Sequence, residues 1–418
     1  MTASMEPDQD ELRLMVGSPP FTADRLVTLE NWQQGPYNRW AFQHVRELIP
    51  TAAIPRGDGP VWELERDERD LSGIRFTTRD GALTVGELLD STCTDGFLVL
   101  HRGVIVTEQY RNGLRPSTSH LLMSVSKSIT GLVAGALAGR GALDVSATVD
   151  SIVPELKATS FRGATVQQLL DMRTGTKYSE DYRDPDAEIA VSDRVYLWSP
   201  DDGRPRPGDA LEYFASLVND GEHGGPFRYR SILVDVLAWV LERAADERFP
   251  DLVASELWQP MGAERDAEIT VDSCGNPLAD GGISATLRDA GRIGQLALQR
   301  GRAGTGAGTG AGGRQVVPAD WLDDTIAGAP DGREAFARGD GANGYPHGAH
   351  YRNCWWVPSP EIPVFNAAGI HGQHIVVHVP SETVVVKLSS WPDPVDAGRR
   401  RATGAAVAAI AEALAAGR

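Results

Sequence analysis

The residues best placed to do chemistry are Ser124 and Lys127, the ends of the tetrapeptide Ser124-Val125-Ser126-Lys127. At the start of a helix this S-x-x-K spacing puts a hydroxyl and an amine on one face, because residues three apart are neighbours there. A hydroxyl beside an amine that can take its proton is a nucleophile for acyl transfer: it captures a carbonyl as a covalent acyl-enzyme that water then releases. The unpaired N–H groups and the dipole of the helix start lower the cost of a negative oxygen at the same place. To act as base the amine must lose its proton, so burial or neighbouring cations would have to pull Lys127 well below the usual lysine value of about 10.4. The same four letters also describe an ordinary helix start with a capping serine and a solvated lysine, so the surrounding elements must carry the case.

FLVL at 97–100 and VIVTEQY at 104–110 are β-rich runs separated by His101-Arg102-Gly103, which predicts a hairpin. From Ser124 the period changes: Ile129, Leu132, Val133, Ala136 and Leu137 recur at helical spacing, and Gly139 and Gly141 mark the end. Ser124 therefore stands where a helix begins. Thr165 to Met172 predicts a second helix capped by Thr165, and Ser231 to Ala245 a third, strongly apolar one. HIVVHV at 374–379 and TVVVKLS at 383–389 predict a second hairpin, and Arg401 to Leu414 a terminal Ala-rich helix. The first 60 residues read as irregular wrapping structure, Arg173 to Pro207 as a long lid-like loop, and the Gly/Ala/Thr tract at 303–313 as a flexible surface loop. Strands near both ends and helices between them predict an α/β fold of the α+β type. An antiparallel sheet flanked by helices, formed by 1–120 together with 284–418, would pack on a mainly helical lobe over 121–283.

With 418 residues, 41% hydrophobic and 23% charged, the chain can build two lobes with ordinary cores. A net charge of -17 argues against nucleic acid or an anionic membrane as partner and leaves a small molecule. Cys93, Cys274 and Cys354 are far apart and form no CxxC pair, so neither a disulfide framework nor a zinc site is expected. His347-Gly348-Ala349-His350 lacks the helical HExxH pattern, and no glycine-rich nucleotide motif occurs, so no metal and no cofactor is expected. No apolar run reaches the roughly 18 residues of a membrane span. The acidic opening MTASMEPDQDELRLMVGSPP lacks the basic and apolar regions of a signal peptide, which predicts a cytoplasmic protein.

LLMSVSKSITG at 121–131, the triplet Tyr229-Arg230-Ser231 and the order of elements resemble the serine β-lactamase and penicillin-binding superfamily, nearest its class C and esterase branches. NRWAFQH at 38–44, EDYRDP at 180–185, DVLAW at 235–239, GIHGQ at 369–373 and VKLSSWPDP at 386–394 are similar to the nylon-oligomer hydrolases within it, and these strings span most of the chain. The resemblance implies Ser124 as nucleophile, Lys127 as base and Tyr229 as proton relay to the leaving group, with Ser231 bonded in the same cluster. The superfamily's third box, K-T-G, falls on Ala367-Ala368-Gly369. The lysine that grips the carboxylate of β-lactams is missing, while Gly369 and the N–H groups of Ser124 and Ile370 remain to form an oxyanion hole. Substrate contacts are implied for Tyr182 (donating to the leaving nitrogen), for Asp193 and Asp280 (attracting an ammonium), and for Trp198. His371 follows the third box and is a further candidate. Of Trp355 and Trp356 only one can face the site, since neighbours on a strand point opposite ways, and Trp356 is the candidate wall. The activity so implied is hydrolysis of short linear amides such as 6-aminohexanoate oligomers, by a homodimer. Carboxylesterase, β-lactamase or D-alanyl-D-alanine peptidase activity, and a catalytically silent binding protein, are the alternatives.

Overall fold

Seven strands, drawn from the two ends of the chain, form one antiparallel sheet. The computed structural model describes residues 7–304, 313–342, 344–359 and 361–417. The hairpin of Thr94–His101 and Val104–Tyr110 makes one edge, and Thr383–Ser389 pairs with Thr94–His101, placing Val385 opposite Val99. Gln373–His378, Val364–Gly369, Trp355–Ser359 and His350–Arg352 follow outward. Thr94–His101 and Thr383–Ser389 are buried along their whole length, because both faces of the sheet are covered. One face takes the terminal helix Ala397–Ala415, whose Ala406, Ile410 and Leu414 join Val99, Val376 and Val385 in a single apolar cluster.

The other face takes helix Leu287–Leu298, which lies close because two glycines face the strands. A Cβ at Gly294 would stand 2.4 Å from Val384 Cγ1 and 2.8 Å from Ile375 Cγ2, and one at Gly291 2.4 Å from Leu98 Cδ2. From this side the larger core continues into the helices of the middle of the chain, where Val125–Gly139 packs against Ile232–Ala245. A small sheet of Thr51–Ile54, Ala267–Thr270, Ile283–Ala285 and His120–Leu121 delivers the chain to Met123, which holds φ 49 immediately before Ser124. A left-handed non-glycine residue costs on the order of 1 kcal/mol or more and persists only where its surroundings fix it.

Both hairpins lie where the sequence predicts them, and the three helices begin one residue after the expected starts. Three expectations change. The terminal helix begins at Ala397, because Asp396 caps it by accepting from the Arg399 N–H. The stretch from 173 to 207 contains a helix, Glu188–Val195; Ile189, Ser192 and Val195 turn inward at helical spacing, a period hidden by the acidic and proline-rich flanks. The first 60 residues contribute the strand Thr51–Ile54 and a helical turn at Asn38–Ala41. Of the Gly/Ala/Thr tract, residues 305–312 lie outside the described residues; Arg302–Ala303 and Arg314–Gln315 pair antiparallel on either side of it.

Gly294→Ala is expected to lower stability by about 1–3 kcal/mol through overpacking against Val384. Gly404→Ala, in the exposed face of the terminal helix with nothing within 4 Å of a Cβ, should instead stabilise by roughly 0.5–1 kcal/mol. Urea unfolding midpoints at constant slope measure both.

Candidate active site

Three elements fix Ser124: the turn after His120–Leu121, the start of helix Val125–Gly139, and the end of strand Val364–Gly369. Gly369 passes so close that a Cβ there would stand 2.8 Å from Leu122 O, 2.9 Å from Met123 Cβ and 3.0 Å from Ser124 N. Only a residue without a side chain fits, and the next residue, Ile370, lines the same cleft as Ser124.

Lys127 is one turn further along the helix and is 1% exposed. Its Nζ donates to Ser124 Oγ at 2.9 Å, to the Asp280 carbonyl at 2.9 Å and to Asp280 Oδ2 at 3.2 Å, so its three protons have three acceptors. The phenol of Tyr229 is on the same cluster, its ring centre 5.2 Å from Lys127 Nζ and its pKa raised less for the nearness of the Ser124 hydroxyl. Tyr229 is held by its N–H donating to Asp340 Oδ2 at 2.8 Å and by its ring stacking on Trp356 at 5.3 Å.

The electrostatics of this cluster correct one expectation. Burial pulls Lys127 down, but Asp280, then Tyr229, Glu180 and Asp235, outweigh it and hold the ammonium well above its ordinary value. The spacing reveals that the lysine is buried with the serine; it cannot reveal carboxylates folded against it from positions 180, 235 and 280. Burial also pushes Tyr229 up to about 12, with Glu180 and Asp280 adding and Lys127 and the Ser124 hydrogen bond opposing. Asp193 is pushed up to about 7, by burial and then by Asp280, against Arg194. Asp235 is held well above the carboxylate range by burial and by Asp280, whose N–H donates to Asp235 Oδ1 at 3.0 Å.

Tyr182, Asp193, Trp198, Ser231, Asp280 and Ile370 converge with Ser124 on one cleft. Trp198 is fixed by its Nε1 donating to Thr270 Oγ1 at 3.1 Å and by its carbonyl accepting from Trp32 Nε1 at 2.8 Å. The Tyr182 hydroxyl donates to Glu180 Oε2 at 3.1 Å, so its proton is turned toward Glu180 and away from a leaving nitrogen, contrary to the expected donation. Two further candidates stand elsewhere. His371 turns its buried ring away from Ser124: its Nδ1 bonds to the Trp391 carbonyl at 2.7 Å, its ring meets Phe42 edge-on at 5.2 Å, and burial holds it down to about 4. Trp356 stands behind Tyr229, between it and Tyr345, and does not wall the cleft; Trp355 points the opposite way into the core. The sequence reading missed Glu180 and Asp235. Asp235 carried a signal, since a lone carboxylate inside the apolar run ILVDVLAWVL must find a partner when buried. Glu180 lies in the EDYRDP string but has no local feature that sets it apart.

Among the described residues no group of three His, Cys, Asp or Glu side chains is arranged to hold a metal ion, and no helix is long and apolar enough to cross a membrane.

A serine and a buried lysine share the head of a core helix, beside a strand that ends in glycine. The chain matches the Beta-lactamase family over residues 85–410 and belongs to that family. It is 40% identical over 376 residues to the 6-aminohexanoate-dimer hydrolase of Paenarthrobacter ureafaciens, covering 90% of this chain and 91% of that one. A Bacillus anthracis structure assigned as a 6-aminohexanoate-dimer hydrolase superposes with a TM-score of 0.83 at 28% identity, over 93% of this chain and 97% of that one. A family VIII carboxylesterase shares the fold at 16% identity, with a TM-score of 0.55 over 75% of this chain and 92% of its own.

Asp280→Asn removes the largest carboxylate effect on Lys127. The lysine's neutral form then appears at lower pH, so the rising limb of kcat/KM against pH should move down by about one unit or more. The profile is measured with an uncharged acetate ester, so that substrate charge does not contribute. A limb that stays in place would show that Lys127 does not set it.

Proposed function

We propose that this protein is a serine hydrolase that cleaves short linear amides bearing a free amine, 6-aminohexanoate oligomers among them, through an acyl-enzyme on Ser124. The observation that carries the reading is the 2.9 Å approach of Lys127 Nζ to Ser124 Oγ at a cleft walled by Asp193 and Asp280. The described lining of that cleft contains no arginine and no lysine, so its field favours a cation. The similarity to the 6-aminohexanoate-dimer hydrolase extends over nine-tenths of the chain, which supports the same substrate class.

The steps follow from the contacts. The substrate carbonyl lies against Ser124 with its oxygen toward the N–H groups of Ser124 and Ile370. An ammonium settling beside Asp193 and Asp280 shares the carboxylate that holds the Lys127 proton, and that proton passes to solvent. The neutral lysine takes the Ser124 proton as the Oγ–C bond forms, and Tyr229 relays it to the leaving nitrogen as the C–N bond breaks. Water then attacks the acyl-enzyme along the reverse relay and frees Ser124. Ala367 in place of the third-box lysine leaves a β-lactam carboxylate without its cation. The division into a terminal α/β lobe and a helical lobe over 121–283, the homodimer and the cytoplasmic location belong to the same proposal and rest on sequence pattern, resemblance and composition.

The test is a parallel assay of wild type and Ser124→Ala on 6-aminohexanoate dimer, p-nitrophenyl acetate and nitrocefin. Dimer and ester cleavage should fall by about 10³-fold or more in the variant, with nitrocefin untouched by either protein. Cleavage that survives in Ser124→Ala removes Ser124 as nucleophile, and ester cleavage alone in the wild type makes the protein a carboxylesterase.

A further inference from the structure

We propose that a cavity on the far side of the active-site wall is a second binding site, one that takes the carboxylate of a small organic acid on Arg230. The cavity holds about 910 Å³, an ordinary volume for a small-molecule site, and among the described residues shares no lining group with the cleft of Ser124. Consecutive residues serve the two. Glu188 and Arg230 line the cavity, and Ile189 and Ser231 line the cleft.

Arg230 is 5% exposed, yet only one of its nitrogens has a hydrogen-bond acceptor. Nη1 donates to the Thr174 carbonyl at 2.7 Å. The Nε–H is buried without a partner, and Nη2 stands 3.9 Å from Asp220 Oδ1, beyond hydrogen-bond distance. Nε and Nη2 share one edge of the planar guanidinium, an edge that grips a carboxylate through two parallel bonds. A buried donor left unpaired is costly, and a ligand that supplies both acceptors removes that cost. Burial, with Arg228 adding and Asp220 opposing, also holds Arg230 below the ordinary guanidinium value, so the group is short of negative charge.

The other cations of the cavity are held as loosely. Lys177 stands 3.7 Å from Glu188, Arg228 3.7 Å from Asp340 and Arg338 3.6 Å from Glu334. Against these four cations the lining sets three carboxylates, Glu188, Asp220 and Glu222. His223 adds no charge, because its Nδ1 accepts from the Gly175 N–H at 3.0 Å and so carries no proton. One positive charge is left in excess, which matches a carboxylate monoanion and falls short of a phosphate dianion. The acid that the proposed hydrolysis would release belongs to this class, but the site does not rest on that reaction.

The experiment is a calorimetric titration of the full chain with sodium hexanoate at constant ionic strength, with inorganic phosphate as a parallel arm. One hexanoate should bind per chain, and more tightly than phosphate. Arg230→Gln should weaken hexanoate by about tenfold or more. Asp193→Asn, on the cleft side, should change it by less than about twofold. Should Arg230→Gln fail to fold, the double variant Lys177→Gln with Arg228→Gln decides instead. Both of those side chains are more than half exposed, and their joint loss should weaken binding by about the same factor. The absence of saturable hexanoate binding, tighter binding of phosphate, or an affinity that none of the arginine and lysine variants lowers overturns the proposal. A loss that Asp193→Asn matches would place hexanoate in the Ser124 cleft and overturn it too. Hexanoate bound in this way by a protein that hydrolyses neither amide nor ester would overturn the serine-hydrolase reading and leave the second site standing.

Discussion

A lysine ammonium buried at 1% exposure is the constraint around which the site is arranged. Taking such a charge out of water costs several kcal/mol unless partners replace its hydration. Asp280 replaces most of it, through both its carbonyl and its carboxylate, and Ser124 Oγ accepts the third proton. Asp280 is fixed in turn, because its N–H donates to Asp235 from the core of the neighbouring helix. The Ser124 hydroxyl is therefore oriented by the same contacts that make the buried charge tolerable, and those contacts favour the ammonium form of Lys127.

The backbone around Ser124 shows a second economy. Gly369 lets the end of a sheet strand touch the helix start, and Met123 takes a left-handed conformation to turn the chain into that helix. Behind these contacts the large core runs unbroken from the sheet into the middle helices, so neither the strand nor the helix can withdraw without opening it. The precision of the site comes from packed elements, whereas part of the cleft wall comes from the 173–207 stretch, Tyr182 from its loop and Asp193 from its helix Glu188–Val195.

The acidic character of the cleft distinguishes it from a site built for β-lactams. Where such a site would have a cation on the inner strand, Ala367 is buried and the strand continues in small residues. Asp280 and Glu180 instead act on Lys127, with Asp193 beside Asp280 in the cleft, and the mutual repulsion of these carboxylates shows in the raised values of Asp193 and Glu180, to which burial contributes first. Carboxylates arranged in this way favour positive charge in the cleft over negative.

Local information was enough to read both hairpins, the three main helices and the placing of Ser124 beside Lys127 at a helix start, because each rests on spacing within a few residues: hydrophobic period, turn glycines, a capping threonine at 165 whose partner is Gln168. Resemblance pointed to Asp193, Trp198 and Ile370, which line the cleft with Ser124, and to Tyr229, whose ring stands beside Lys127. The charge state of Lys127, the direction of the Tyr182 hydroxyl and the parts played by Glu180 and Asp235 were decided only by the tertiary structure. Asp280 meets Lys127 across 153 residues of sequence and Glu180 meets the Ser231 N–H across 51, and no local pattern encodes which carboxylate reaches which donor. His371 makes the same point in reverse. In sequence it adjoins the glycine that touches Ser124, yet a φ of 57 at that residue accompanies a ring turned into the core, so adjacency in sequence gave the wrong side of the backbone.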